Sequence, residues 1–280
     1  MSNIVGIDVG GSTTKIVGLK DGEIYSPMLV RAGDPLSSIY GAFGKFLNVN
    51  KLSIPNVDKI MVTGVGASYL TDKIYGIPTV KVDEFNSIGK GGLFISKLNR
   101  AIIVSMGTGT TYVMADESGV THMGGTGVGG GTLLGLSNTM LNVRDFNDLI
   151  KTAQNGNLVN IDLNIEDITT DINENLPLDA TASNFGKISD LASKSDLALG
   201  IINLVFQTIG VISVFATKIY NLNDIVLTGN LANVPQAKEI FKRVADMFHV
   251  KFYISENAEF ATAVGAALMH NEKEKCFNIQ

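Results

Sequence analysis

The sequence predicts an α/β protein built as two related lobes, and three observations carry that expectation. A chain of 280 residues with 45% apolar content can bury two medium-sized cores. Apolar strand signals alternate with helical stretches, and that alternation runs twice. The third observation is the most specific: one short pattern is written in both halves. Its first copy is Val5-Gly6-Ile7-Asp8-Val9-Gly10-Gly11-Ser12-Thr13-Thr14-Lys15-Ile16-Val17, and its second is Ile103-Val104-Ser105-Met106-Gly107-Thr108-Gly109-Thr110-Thr111-Tyr112-Val113. Each reads as apolar strand, glycine turn, hydroxyl cluster, apolar strand.

Taken in order, strand signals cover Ile4 to Val9, Lys15 to Leu19 and Glu23 to Val30, with turns at the glycines and at Asp21-Gly22. A helix is expected from Pro35 to Leu47 and a strand from Lys59 to Thr63, which Gly64 and Gly66 end before a short helix. The strand Thr79 to Val82 delivers Asp83 and Glu84 at its carboxyl end, and a helix around Ser87 to Leu98 closes a first lobe of residues 1–98. The second lobe, 99–280, repeats the plan with strands at Ala101 to Ser105, Thr111 to Asp116 and Val120 to Met123. A glycine cluster, Gly124 to Thr132, then opens onto an apolar helix from Leu133. Residues Asn155 to Ser195 are polar and irregular, as in an insertion that caps a site or reaches a partner. A buried strand at Ile225 to Thr228, Gly229-Asn230, a helix from Val234-Pro235, a strand at Lys251 to Ile254 and a small-residue helix from Ala261 to Met269 follow.

Glycine permits positive φ and close approach of backbone N–H groups to an anion, while hydroxyls and Lys15 add donors and charge. The paired turns therefore point to a nucleotide triphosphate. Neither copy fits a P-loop or Rossmann fingerprint, because more strand follows each turn. The helix after the glycine cluster is expected to present free N–H groups and a positive dipole end, a further anion site.

A formal charge of -5 without a Lys/Arg run argues against a nucleic-acid partner. The single Cys276 leaves no pair for an intrachain disulfide and no cysteine cluster for a metal, and a reducing cytoplasm is the expected home. The N-terminus reads as the first strand and not as a signal peptide. The uncharged stretch Leu197 to Ala216 is long enough to span a bilayer, but Asn203, Gln207, Gly210, Ser213 and Thr217 mark a polar stripe at helical spacing. A buried helix, in a core or subunit interface, accounts for that stripe better than a membrane span, since lipid offers no partners.

The arrangement resembles the acetate and sugar kinase, heat-shock chaperone and actin superfamily, and more closely the type II pantothenate kinases. The resemblance rests on Gly6-Ile7-Asp8-Val9-Gly10-Gly11-Ser12, Gly107-Thr108-Gly109-Thr110, Gly129-Gly130-Gly131-Thr132, Ala153-Gln154-Asn155-Gly156, Thr181-Ala182-Ser183-Asn184-Phe185-Gly186, Glu256-Asn257-Ala258-Glu259-Phe260 and Ala263-Val264-Gly265-Ala266. It implies a duplicated actin-like, ribonuclease H-like fold of two lobes that clasp ATP, with pantothenate phosphorylated from MgATP on its primary hydroxyl, the entry step to coenzyme A. It further implies Asp8 on magnesium through water, with Gly10, Gly11, Ser12, Thr13 and Lys15 at the phosphates. Thr108 and Gly109 would sit at the transferring group, and Gly130, Gly131 and Thr132 would grip the far end of the triphosphate. Phe146 would pack on adenine, and Gly229 and Asn230 would border the nucleoside. Glu84 matches the family's catalytic glutamate, with the adjacent Asp83 as its rival. His122 stands where the family carries an arginine that contacts pantothenate, so His122, Gly124, Ala182, Asn184 and Phe185 join Glu84 and Thr108 as expected substrate residues. A homodimer through the long apolar helix and regulation by acyl-coenzyme A are implied as well. A sugar kinase, an activator-type ATPase and a nucleotide or acyl-coenzyme A sensor of the same fold remain alternatives.

Overall fold

The computed structural model describes residues 2–31, 33–169 and 177–271, together with the backbone of 277–278. Strands β1 (Asn3–Val9), β2 (Thr14–Lys20) and β3 (Glu23–Val30) form an antiparallel meander. Helix α1 (Pro35–Asn50), β4 (Lys59–Thr63), β5 (Thr79–Lys81) and α2 (Glu84–Ser96) follow. The next segment runs β6 (Ala101–Met106), β7 (Thr110–Asp116), β8 (Gly119–Thr126), α3 (Gly130–Leu141) and α4 (Phe146–Thr152). A small ribbon of β9 (Leu163–Asn164) and β10 (Thr181–Ser183) precedes the long α5 (Lys194–Tyr220). Then come β11 (Asp224–Thr228), α6 (Pro235–Phe248), β12 (Lys251–Tyr253), α7 (Ala261–Leu268) and β13 (Phe277–Asn278).

The two main sheets have the orders β13-β5-β4-β1-β2-β3 and β12-β11-β6-β7-β8. Leaving aside β13, which pairs with β5, and the separate β9–β10 ribbon, each sheet reads fifth, fourth, first, second, third strand of its own half. In each, the fourth strand runs parallel to the first, and the second and third run antiparallel. The halves also match in backbone detail. Gly64 after β4 has φ 89° and Gly229 after β11 has φ 87°, and a Cβ there would lie 2.6 Å from the Val9 carbonyl or 2.5 Å from that of Met106. Val9 and Met106 end the equivalent strands β1 and β6, so the same close approach recurs where each sheet meets the cleft.

Helices α2 and α7 cross over. The first packs Ile88 against Ala101, Ile103, Val113 and Val226 of the second sheet. The other sets Ala266 and Ala267 on Ile4, Leu19, Met61 and Val80, and Ala263 and Val264 on Val17, all of the first sheet. Each sheet is thus covered by a helix from the other half of the chain. Where they meet, an added Cβ on Gly91 would fall 1.8 Å from the Ala261 carbonyl oxygen, and one on Gly265 the same distance from that of Ser87. Only glycine lets the two backbones lie that close.

Several local expectations shift. Helix α2 begins at Glu84 and not near Ser87, because the Asp83 side chain accepts the Asn86 N–H at 2.8 Å and caps it. Helix α3 begins at Gly130 and not at Leu133, and α4, capped by Asp145, had no signal in the sequence reading. The Asn155–Ser195 stretch holds single-turn helices and the β9–β10 ribbon; its residues 170–176, like Cys276, lie outside the described residues. The polar stripe of α5 faces protein: Asn203 donates to Asp162 at 2.7 Å and Gln207 accepts from Asn184 at 2.9 Å. Ser213 and Thr217 return their hydroxyls to carbonyls of their own helix, and Gly210 lies against Val244 and Phe241. Helix α5 is long and apolar enough to cross a membrane, yet most of its apolar stretch is buried inside the fold.

Adding a methyl group at the helix crossing overpacks it. Gly91→Ala and Gly265→Ala are each expected to lower unfolding stability by about 1–3 kcal/mol or more in denaturant titrations. Gly41→Ala in α1, where an added Cβ meets nothing within 4 Å, is expected to raise it by up to about 1 kcal/mol.

Candidate active site

The two glycine turns face each other across the lobes. Ser12 Oγ and Thr108 Oγ1 approach to 3.1 Å, and Asn230 donates to Thr13 Oγ1 at 3.2 Å. These four residues help to line a cavity of about 590 Å³, with Gly107, Gly130, Gly131 and Phe146. Of the residues expected at a nucleotide, Ser12, Thr13, Thr108, Gly130, Gly131, Phe146 and Asn230 therefore share one space. Leu134, Ile150, Val234 and Pro235 supply apolar wall that sequence reasoning missed, and Arg31, Arg144, Asn147 and Glu259 add polar groups. Glu259 stands in the Glu256–Phe260 motif, and no motif flags the others, which converge from the end of β3, α3, α4 and the start of α6 only on folding.

The expected row of free N–H groups at the start of α3 is not there. Gly130 donates to the Gly107 carbonyl and Gly131 to that of Thr108, both at 2.9 Å, while Gly129 donates to Thr132 Oγ1 at 3.2 Å. The glycines serve a different need, since a Cβ on Gly129 would lie 2.7 Å from the Thr108 oxygen. The run docks the helix start, backbone against backbone, onto the second turn. Thr132 is likewise occupied, donating to the Gly127 carbonyl at 2.9 Å, and Gly109 accepts from Gly107 within the turn. In the first turn Gly10 donates to the Thr13 carbonyl at 3.0 Å, and Gly11 places its Cα opposite Thr108.

Beside the first turn, Asp8 of β1 and Lys15 of β2 are cross-strand partners with Nζ 3.7 Å from Oδ2, and both are buried. Burial pushes the Asp8 carboxyl above its ordinary value, and the Lys15 charge opposes that rise. Glu84, partly buried at the N-terminus of α2, is raised as well: burial contributes most, then the negative charges of Asp8 and Asp83, against Lys15. Glu84 follows the carboxyl end of β5 as expected but is already the first residue of α2, so strand geometry does not separate it from Asp83. Capping does, since Asp83 spends Oδ1 on the N–H and side-chain amide of Asn86.

His122 on β8 stacks on Phe85, the neighbour of Glu84, with ring centroids 3.8 Å apart and planes at 11°. A register shift after His122 sets Gly124 opposite Tyr112, with φ 135° at that glycine. Ala182, Asn184 and Phe185 do not line the cavity. Ala182 is exposed on β10, while Asn184 donates to Gln207 of α5 and Phe185, with φ 59°, lies beside Gly200 of α5 and donates its N–H to Asp162 at 2.9 Å. Asp162, fully buried and also bonded by Asn203, organises this corner. It stands in the stretch that reads as irregular, with no spacing rule to pair it.

The sequence profile of the Fumble family matches residues 98–269, more than half of the chain. The chain belongs to the Fumble family. This Fumble-family chain is 28% identical over 277 residues to a type II pantothenate kinase of Staphylococcus epidermidis, covering 94% of this chain and 98% of the relative. To the enzyme of that name from Staphylococcus aureus it is 27% identical over 274 residues, covering 94% and 97%. Covering 94% of the chain, these similarities extend into the first half, ahead of the profile match. Among solved structures, the activator of the 2-hydroxyisocaproyl-CoA dehydratase from Clostridium difficile with bound ADPNP superimposes at TM-score 0.68 and 18% identity, covering 95% of this chain and 93% of the other. The ROK hexokinase from Thermus thermophilus does so at TM-score 0.57 and 12% identity, covering 95% and 97%. At such identities the likeness establishes the fold, the duplicated actin-like two-lobe architecture.

The raised Glu84 value has a sign. The folded state holds this proton more tightly than the unfolded chain, so its contribution to stability is present below the ordinary value of 4.5 and is lost as pH rises through the raised one. Glu84→Gln is expected to match the wild type in acid and to become the more stable protein above that window, as followed by urea unfolding across pH.

Proposed function

We propose that this protein transfers the terminal phosphoryl group of ATP to the primary hydroxyl of pantothenate, the first step of coenzyme A biosynthesis. The observation that carries the reading is the cavity in which both glycine turns, Phe146 and Asn230 meet, in a chain similar over 94% of its length to type II pantothenate kinases. At about 590 Å³ the cavity has the size of a small-molecule site. The residues present fit a nucleotide. Phe146, Ile150, Val234 and Pro235 suit a flat base, and Asn230 Oδ1 is a buried acceptor with no partner among the described residues.

Asp8 is the carboxylate that would hold magnesium through water, and one carboxylate with phosphate oxygens is an ordinary magnesium arrangement. When bound, the ion neutralises charge on the phosphoryl oxygens. Ser12, Thr13 and Thr108 orient the phosphates with their hydroxyls. Glu84 takes the hydroxyl proton as the oxygen–phosphorus bond forms and the bond to the leaving phosphate of ADP breaks. Its raised proton affinity suits that task, because a carboxylate in a field of like charge is the better base. Lys15 keeps Asp8 and Glu84 from repelling one another unopposed. His122, held flat on Phe85, offers the substrate one or two ring nitrogens in place of an arginine's five donors.

Purified protein is expected to phosphorylate pantothenate with ATP, and Glu84→Gln to lower kcat by about 10²–10⁴ while still binding ATP. The acidic limb of the wild-type rate profile is expected above the ordinary glutamate range. His122→Arg is expected to raise kcat/KM for pantothenate, which carries a carboxylate, more than for pantetheine, which does not. ATP binding without turnover of either substrate would overturn the reading.

The same reading includes a cytoplasmic homodimer and, from the family resemblance, regulation by acyl-coenzyme A. Phe215 and Ile219 support the dimer: one turn apart on the mostly buried α5, they are 55% and 72% exposed. Sedimentation is expected to give a dimer, and Phe215→Glu with Ile219→Glu a monomer.

A further inference from the structure

The nucleotide cavity is short of positive charge where it was expected. The N–H groups of Gly129, Gly130 and Gly131 are bonded within the protein, and Lys15, which does not line the cavity, is paired with Asp8. The cations that do line it are Arg31 and Arg144. Arg144 gives its Nε–H to Asn138 at 3.1 Å, within the second half. Arg31 is exposed and has no ion-pair partner among the described residues, although Asp145 and Glu259 line the same cavity.

Its place is set by the ladder of β2 and β3. Thr14 pairs with Val30 and Lys15 with Leu29, so the same register carried one step past the end of the ladder would bring Arg31 across from Thr13, and both residues line the cavity. Facing residues on such strands are about 5 Å apart, within easy reach of a guanidinium for whatever Thr13 touches. Leu29, two residues earlier and so on the same face of the strand, lines the cavity too.

We propose that Arg31 is a phosphate-binding residue of the nucleotide cavity. This rests on the ATP-dependent reading above and deepens it. Arg31 supplies the full charge and planar donor fork that the occupied glycine amides do not, and it does so from the first lobe, whereas most of the wall belongs to the second. Nucleotide phosphates then tie the lobes together, and a nucleoside without phosphates does not.

Calorimetric titration of the full chain with ATP, ADP and adenosine tests this apart from catalysis. Arg31→Gln is expected to weaken ATP and ADP by about tenfold or more and to leave adenosine unchanged, which also certifies the fold. Arg31→Lys is expected to recover part of the loss, since it restores charge but not the fork. Unchanged ATP affinity in Arg31→Gln, or an equal loss for ATP and adenosine, would overturn the proposal. A wild type that fails to bind ATP would instead sink the kinase reading, and this proposal with it.

Discussion

Everything in this molecule hangs on the contact of α2 with α7. The two helices touch through backbone at Gly91 against Ala261 and at Gly265 against Ser87, and each lies on the sheet of the opposite half. Glycine inside a helix costs about 1 kcal/mol relative to alanine, and α2 carries three of them at Gly89, Gly91 and Gly92. Packing offsets that cost. Gly89 receives Val120 and Gly92 receives Ile103, so that α2 sinks into the second sheet on one side and onto α7 on the other. The arrangement joins the lobes by a narrow axle and leaves the cleft between their glycine turns.

The axle also places the chemistry. Glu84 is the first residue of α2, and Phe85, which stacks on His122, is the second. A capped helix end gives the carboxylate a defined position beside Asp8 and Lys15, where burial and like charge keep its proton affinity high. The site is thus electrostatically costly to the fold, and under the proposed function that same cost serves a proton transfer, the usual tension between stability and activity. Asp83 contributes to both sides of that balance, holding the helix start while its charge raises the pKa of its neighbour.

Glycine-rich segments in this fold do more than present amides. The Gly129–Gly131 run brings the α3 start against the second turn through carbonyls of Gly107 and Thr108, which uses up the very donors that make such a helix start attractive to an anion. Gly64 and Gly229 permit sharp exits at matching strand ends, and Gly229 thereby sets Asn230 in the cleft. A glycine motif therefore reads equally well as ligand contact or as backbone docking, and the hydrogen-bond partners decide between them.

The sequence by itself determined the duplicated α/β plan and the two hydroxyl-bearing turns, because these depend on local periodicity and on glycine's own conformational freedom, and the resemblance of its motifs pointed to the family. Ser12, Thr13 and Thr108 were legible as cleft residues for the first reason, Phe146 and Asn230 only through the resemblance, and the polar stripe of α5 identified a helix that seeks protein partners. Tertiary structure alone decided the rest. The crossing of α2 and α7 joins residues far apart in the chain, the buried Asp162 finds Asn203 and Phe185 only after the ribbon folds onto α5, and Arg31 comes to line the same cavity as Thr13 only in the folded chain. Whether an amide is free or bound, and whether a carboxylate ends a strand or caps a helix, follows from neighbours that no spacing in the sequence records.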